Sequence, residues 1–272
     1  MKVLIYSNKE KDKDKISLKK LINTLQDNSI DYEVLCDDDL NKNYQADALF
    51  SLGGDGTILF LTEFVSKLNI PIIGINTGKL GFLTEFERDE IEVAVNMFKQ
   101  NALTIDNRVT IKIDYNNKTH YALNDVFVRH VYTENISNII NDISVKFNDK
   151  DILTLKGDGI IVSTPTGSTA YSLSAGGPIL SPELSAFVLT PIAAHTLTQR
   201  PIVFPSEKSC KIGIIGCAKA GVYVDGKAIG ILSKGDFIDI KKSDVLLCFL
   251  RRKNYDFYNV VTKKLNNNSC KE

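Results

Sequence analysis

Residues 49–58 read LFSLGGDGTI, an apolar run that passes through a glycine-rich turn into a helical pattern. Glycines in such a turn let the backbone approach a ligand closely, because they carry no Cβ atom and accept positive φ angles. The free N–H groups and the positive dipole end of the following helix attract an anion. We therefore predict a phosphate site on this strand, turn and helix, formed by Gly53, Gly54, Gly56 and Thr57.

Asp55 is the informative residue of this turn, because a carboxylate repels phosphate and has no place in a plain anion cradle. Its presence suggests a base for a hydroxyl nucleophile, or a partner for a bound magnesium ion. The alternative is structural: Asp55 or Thr57 caps the helix as an ordinary turn residue.

The chain on both sides of the turn alternates between strand and helix patterns. Apolar runs predict strands at 2–7, 33–36, 46–52 and 70–75, and helical spacing predicts helices at 16–26, 58–68 and 90–99. This alternation is typical of an α/β domain with a parallel sheet and right-handed crossovers. We assign residues 1–100 to that domain.

The pattern changes at about residue 101 to β-branched segments separated by turn signals such as Asn116-Asn117 and Asp225-Gly226. Strands are predicted at 109–115, 119–127, 143–147, 159–163, 210–215, 221–224, 236–240 and 245–249. Residues 101–251 therefore form a β-rich second domain. Within it, residues 221–228 resemble a Gly-xxxx-Gly-Lys-Ser/Thr phosphate loop, but the final Ser or Thr is missing. The segment is predicted to be a hairpin.

Composition excludes several classes of function. The 272 residues carry 33 basic and 33 acidic side chains, which argues against a nucleic-acid partner that needs a broad basic face. Five cysteines without a CxxC pair argue against disulfides and structural zinc. No apolar stretch approaches ~18 residues, and the first run is too short for a signal peptide. We expect a cytoplasmic protein without a membrane segment.

A second motif lies at 163–177, which reads STPTGSTAYSLSAGG after an apolar strand. Its hydroxyl groups are suited to ribose and phosphate oxygens. The small Ala170 leaves room for a flat base, and Tyr171 offers a ring to stack on it. The alternative is a solvated Ser/Thr loop.

The two motifs together resemble the NAD kinase family, and the match runs over most of the chain. The first motif is shared with diacylglycerol-type lipid kinases and phosphofructokinases, whereas the long Ser/Thr-Gly segment is far more specific. The segments that carry the resemblance are 53–57, 76–82, 123–125, 156–159, 163–177, 195–197, 200–201 and 224–226.

The resemblance implies a phosphate-donor and catalytic α/β domain, rejoined by the C-terminal segment 252–272, and a sandwich-like, NAD-binding β domain. This is the NAD kinase/diacylglycerol kinase-like fold. Asp55 is implied as the base for the 2′-hydroxyl of the adenosine ribose, framed by Gly54 and Gly56. Phe82 would lie near the adenine, and Asp158 at the nicotinamide end. The other implied NAD contacts are Asn124, Asp125, Lys156, Thr166, Thr169, Ala170, Tyr171, Ser174, Ala193 and Lys227.

The family often has Glu at the position of Asp125, Arg at that of Lys156 and Gln at that of Lys227. The resemblance further implies ATP as donor, a magnesium ion carried with the nucleotide and no metal site of the protein's own, and a homodimer or homotetramer. Replacing Asp55 by Ala is expected to abolish turnover and leave NAD binding largely intact. The competing hypotheses are a diacylglycerol-type lipid kinase and a non-catalytic dinucleotide sensor.

Overall fold

The computed structural model describes residues 1–78, 81–131, 141–196, 198–216 and 219–267. The strands are β1 Lys2–Ser7, β2 Asp31–Leu35, β3 Ala48–Gly53, β4 Ile72–Asn76, β5 Phe86–Glu87, β6 Thr104–Arg108, β7 Ile111–Tyr115, β8 Lys118–Ala122, β9 Asp125–His130, β10 Asn141–Phe147, β11 Lys150–Gly157, β12 Gly159–Ser163, β13 Ala186–Ile192, β14 Ile202–Pro205, β15 Cys210–Ile214, β16 Ala220–Val224, β17 Lys227–Leu232, β18 Phe237–Lys242 and β19 Leu247–Arg251. The helices are α1 Ile16–Asp27, α2 Asp55–Leu68, α3 Ile91–Lys99, α4 Tyr171–Ser174 and α5 Phe257–Asn267.

The first of two compact units comprises Met1–Asn107 and the segment that begins at Leu247. Its sheet has the strand order β2-β1-β3-β4-β19-β6, with β5 beside β4. The pairs β1–β2, β1–β3 and β3–β4 are parallel, so the predicted α/β architecture is confirmed. Every residue of β3 is buried, as expected of a central strand that carries apolar side chains on both faces.

The strand β19 corrects one sequence-based expectation. The sequence pattern assigns the strand 245–249 to the β-rich region, whereas the structure pairs β19 with β4 of the first sheet. The fully buried Arg251 at its end makes ion pairs with Glu85 at 3.3 Å and Asp106 at 2.7 Å. Because a buried charge requires partners, these two carboxylates fix the end of the returning strand.

The second unit, Arg108–Leu246, contains two six-stranded sheets. Their orders are β11-β10-β15-β18-β7-β8 and β14-β13-β12-β9-β16-β17. Apolar side chains from both sheets form one buried cluster, for example Ile113 and Val145 from one sheet and Val128 and Val162 from the other. The β-rich character predicted for this region is therefore confirmed.

One predicted strand is wrong in extent. The pattern at 119–127 predicts a single strand, but β8 ends at Ala122 and β9 begins at Asp125, and the two strands belong to different sheets. The break occurs because the backbone N–H groups of Leu123 and Asn124 both donate to the carboxylate of Asp225 instead of a sheet partner. Among the described helices, none is long and apolar enough to cross a membrane.

Candidate active site

The glycine-rich turn leads from β3 directly into α2, as the sequence predicts. Gly54 occupies the N-cap position with extended backbone, and Asp55 is the first helical residue. No side chain caps this helix start, so the interpretation of Asp55 or Thr57 as a helix cap is wrong. The buried Thr57 hydroxyl instead accepts a hydrogen bond from Asn8 Nδ2 at 3.1 Å. A Cβ at Gly53 would collide with Thr57, which explains the glycine there.

Both oxygens of the Asp55 carboxylate accept hydrogen bonds from backbone N–H groups. Its Oδ2 accepts the N–H of Phe82 at 2.7 Å, and its Oδ1 accepts the N–H of Leu83 at 3.0 Å. A Cβ at Gly81 would collide with this carboxylate, so only glycine lets the two segments meet. The Asp55 side chain is still 29% exposed, and each oxygen keeps a lone pair for a further donor. The site therefore presents an oriented carboxylate that a substrate hydroxyl can reach.

The segment that begins at Asn76 is fixed beside the glycine turn. Asn76 Oδ1 accepts the N–H of Gly78 at 3.0 Å, and Asn76 Nδ2 donates to Glu87 Oε2 at 3.1 Å. The N–H of Thr77 donates to the carbonyl of Gly53 at 3.0 Å. The turn and the segment that bonds Asp55 are thus parts of one hydrogen-bonded assembly.

Sequence reasoning missed Lys264, which lies on α5 and reaches the same carboxylate. Its Nζ is 3.9 Å from Asp55 Oδ2 and 3.8 Å from the centroid of the Phe82 ring. Burial lowers the pKa of the Lys264 ammonium, and the Asp55 charge opposes that shift. No local signal marks this lysine, because its partners are far away in the sequence.

In the second unit, Asp225 organises the pair Asn124 and Asp125. Its carboxylate accepts the N–H groups of Leu123 at 2.8 Å, Asn124 at 2.8 Å and Asp125 at 3.1 Å. Asp225 and Gly226 have φ angles of 46° and 81°, which an Asp-Gly hairpin turn requires. The 221–228 segment is therefore a hairpin, as predicted, and its turn supplies a carboxylate that sequence reasoning did not assign a role.

The buried Asp125 and the half-buried Asp225 form an acidic pair. Burial, together with the nearby Asp225 charge, raises the pKa of Asp125 to about 7. Burial raises the pKa of Asp225 to about 6, although the three N–H donors counteract the shift. Asp125 has the less favourable surroundings for a negative charge, because no backbone donors compensate its burial.

Most hydroxyl groups in the 163–177 segment serve the fold. Thr164 Oγ1 donates to the carbonyl of Leu123, Ser168 Oγ accepts the N–H of Leu180 at 2.6 Å, and Ser172 Oγ bonds Thr190 Oγ1 at 2.8 Å. All three of these segment hydroxyls belong to fully buried residues, which excludes a solvated loop. A Cβ at Gly167 would collide with the carbonyl of Asn124, so the glycine brings the segment against the Asn124 backbone.

Of the remaining expected ligand residues of this segment, Thr166 is buried, whereas the others are half-buried or exposed. The Thr166 hydroxyl accepts a bond from the buried Arg108 at 3.3 Å, and Thr169 Oγ1 donates to the Thr166 carbonyl at 3.2 Å. The half-buried Tyr171 packs edge-on against Phe127 at 5.0 Å, while Ala170 is half-buried and Ser174 is exposed. These side chains are close in sequence and share one end of β12.

Three expected residues lie at the other end of β12. Asp158 precedes the strand and donates its N–H to Ile192, and the Lys156 carbonyl accepts the N–H of His195. Ala193 is exposed with a φ of 46°. A five-residue strand spans roughly 16 Å, so the structure separates this group from Asn124 by about that distance. Lys227 is exposed next to the Asp225 turn. Within the described ranges, no group of three His, Cys, Asp or Glu residues could hold a metal ion.

Two family models match the chain. The ATP-NAD kinase N-terminal domain matches residues 6–102, and the ATP-NAD kinase C-terminal domain matches residues 123–251. The NAD kinase of Caldicellulosiruptor saccharolyticus is 36% identical over 97% of this chain and 99% of its own length. The NAD kinase of Fusobacterium nucleatum is 35% identical over 96% of both chains.

Solved structures have the same fold. Yeast NADH kinase, solved with NADH, aligns with a TM-score of 0.84 at 24% identity, covering 100% of this chain and 89% of that one. The NAD kinase of Archaeoglobus fulgidus, solved with ATP, aligns with a TM-score of 0.77 at 26% identity, covering 97% and 98%. Because both domain models match and relatives above 30% identity align over nearly its whole length, the chain belongs to the NAD kinase family.

Proposed function

We propose that this chain transfers the terminal phosphoryl group of ATP to the 2′-hydroxyl of the adenosine ribose of NAD, producing NADP. The observation that carries the proposal is the Asp55 carboxylate, oriented by the N–H groups of Phe82 and Leu83 at a glycine turn that begins a helix. The relatives named NAD kinase and the solved relative with bound ATP support the substrates.

In the proposed reaction the acceptor hydroxyl donates its hydrogen bond to a free lone pair of Asp55. Because both oxygens are already fixed by backbone donors, the carboxylate needs little reorganisation before it takes the proton. The donor phosphates lie over Gly53, Gly54, Gly56 and Thr57, where helix N–H groups favour negative charge. The new bond joins the ribose oxygen to phosphorus, and ADP leaves. Magnesium enters as part of the ATP complex, hence as substrate.

NAD is proposed to use the residue set that the family resemblance implies. Asn124 and Asp125 hold a ribose, and their backbone is fixed by Asp225. An Asp125 pKa of about 7 allows its carboxyl group either to donate to or to accept from a ribose hydroxyl near neutral pH. Further contacts to NAD are assigned to Thr166, Thr169, Ala170, Tyr171 and Ser174, and a contact to the adenine is assigned to Phe82.

A homodimer or homotetramer is part of the proposal. Lys156, Asp158 and Ala193 lie roughly one strand length, ~16 Å, from Asn124, which suits contacts donated to the site of a second copy. A cytoplasmic location, the sandwich-like description of the second domain and the wider kinship with diacylglycerol-type kinases also stay predictions.

The test is a coupled assay of NADP formation from ATP and NAD, with the wild-type chain and two variants. Asp55→Asn keeps one acceptor for the backbone N–H groups and removes the base, whereas Asp55→Ala removes both functions. We expect both variants to lose turnover by at least about a hundredfold. Because Asp55 also fixes Phe82, Asp55→Ala is expected to weaken NAD binding, contrary to the expectation from sequence.

Normal turnover in Asp55→Asn would contradict the role of this residue, and absence of NADP from the wild type would contradict the function. The lipid-kinase and sensor hypotheses are not favoured by the relatives from Caldicellulosiruptor and Fusobacterium, which are named NAD kinase. Replacing NAD by a lipid alcohol in the same assay separates the first of them. The second hypothesis, a non-catalytic sensor, predicts that Asp55→Ala still binds NAD as the wild type does.

A further inference from the structure

The last helix of the described chain brings a lysine to the catalytic turn. Lys264 lies on α5, and its Nζ is 3.9 Å from Asp55 Oδ2 and 3.8 Å from the centre of the Phe82 ring. The ammonium and the carboxylate therefore flank the position that a hydroxyl bound to Asp55 would occupy. Both the ring and the carboxylate are already assigned to the reaction, whereas the lysine is not.

This ammonium retains hydrogen-bonding capacity. A distance of 3.9 Å is too long for a hydrogen bond, and an aromatic face offers an electrostatic contact without a lone pair. In the described part of the chain, Asp55 and Phe82 are its recorded partners. The Lys264 side chain is only 22% exposed, and burial lowers its pKa. A partly desolvated ammonium with three donors is thus held ready for an additional anionic partner.

Charge balance indicates which anion this is. A carboxylate at a phosphate-binding turn opposes the approach of the terminal phosphate, which is why Asp55 is unexpected in such a motif. A cation within 4 Å of the carboxylate offsets that repulsion where acceptor and donor meet. A cation beside the proposed base can also stabilise the charge on the equatorial oxygens during transfer.

We propose that Lys264 is a further catalytic residue, whose ammonium binds the terminal phosphoryl group of the donor while Asp55 holds the acceptor hydroxyl. The inference rests on the proposed function for the identity of the acceptor. In the step, an oxygen–phosphorus bond forms at the acceptor and the bond from phosphorus to the bridging oxygen of ADP breaks. The hydroxyl proton moves to Asp55, and Lys264 stays protonated throughout.

The experiment compares Lys264→Met, Lys264→Arg and the control Lys263→Met, which changes an exposed neighbour on the same helix. Turnover is measured with ATP and NAD, affinity for ATP and for ADP by calorimetry, and melting temperature by circular dichroism. We expect Lys264→Met to lower kcat by about a hundredfold, as for the loss of one transition-state donor. Its affinity for ATP should fall about tenfold and its affinity for ADP should not change, because ADP lacks the terminal phosphate.

Lys264→Arg should recover part of both effects, and Lys263→Met should behave as the wild type, with melting temperatures alike in all four proteins. Unchanged or increased kcat in Lys264→Met, or equal losses of ATP and ADP affinity, would overturn the proposal. If the wild type made no NADP, the proposed function would fail. The comparison of ATP with ADP would then still decide the role of Lys264.

Discussion

At the scale of single residues, Gly81 controls the position of the Asp55 carboxylate, the proposed base. A methyl group at this position would collide with Asp55 and would lie 2.8 Å from Thr84 Oγ1. Gly81→Ala is therefore expected to displace the Asp55 carboxylate and to lower kcat about a hundredfold, the usual cost of a misplacement of about 1 Å. The measurement is kcat for NADP formation together with the melting temperature.

The matched control for this change is Gly78→Ala, because a Cβ there meets nothing within 4 Å. It should leave kcat close to the wild-type value. Equal turnover in Gly81→Ala and the wild type would mean that the carboxylate tolerates displacement, and the account of its orientation would be wrong.

Residues with local signals could be predicted from the sequence, and residues that act across long separations could not. Asp55 stands out because its neighbours in the chain are glycines. Lys264 stands among ordinary neighbours, and the sequence marks Asp225 only as a turn residue. Their partners at Asp55 and at Leu123 to Asp125 are reached only by folding. Hydrophobic periodicity predicts which face of an element is buried, but it does not predict which distant group contacts that face.

At the scale of elements, the turn between β16 and β17 brings the half-buried Asp225 to the buried Asp125 at the start of β9. The pKa of Asp125 is raised to about 7, so the folded state favours the protonated form. The contribution of this protonation to the free energy of unfolding is fully present below about pH 4, the ordinary pKa of an aspartate. It is lost as the pH rises to about 7. In Asp125→Asn the side chain at this position cannot ionise, so this loss of stability does not occur. The melting temperature of the variant should therefore exceed that of the wild type by an amount that grows from pH 4 to pH 7.

Circular dichroism melts at intervals of half a pH unit measure this difference. Asp244→Asn, a change at an exposed aspartate of the same unit, is the control and should follow the wild type at each pH. A constant difference between Asp125→Asn and the wild type across this range would contradict the account.

Predicted elements agree with the structure where burial follows a simple period. The strand 159–163 coincides with β12, and the helix 16–26 falls within α1. The run 119–127 fails because apolar residues continue through a link whose N–H groups are taken by a carboxylate about a hundred residues away. The strand near 245–249 is found by pattern, but its sheet is decided by pairing with β4.

At the scale of the whole molecule, the first sheet depends on a strand supplied late in the chain. Replacing Arg251 by Leu leaves Glu85 and Asp106 without their buried partner, and breaking such a pair costs about 3–5 kcal/mol. Each unit has its own apolar cluster. In Arg251→Leu the weakened first unit should therefore unfold at a lower urea concentration than the second unit. Hydrogen exchange resolved by peptide measures the two transitions.

The control for this change is Arg252→Leu, which removes a more exposed ion pair with Glu90 and should cost clearly less. A single shared transition in Arg251→Leu, with no loss of stability, would show that the sheet does not require the buried guanidinium.

The position of β19 and α5 in the chain also has a consequence for biosynthesis. A ribosome completes all of Arg108–Leu246 before it delivers the strand that lies between β4 and β6 and the helix that carries Lys264. Translation that stops inside the intervening unit leaves the first sheet without β19, and exposed apolar surface and unpaired strand edges of this kind favour aggregation unless chaperones bind them. The first sheet and the helix that carries Lys264 can therefore be completed only after the whole of the intervening unit has been synthesised.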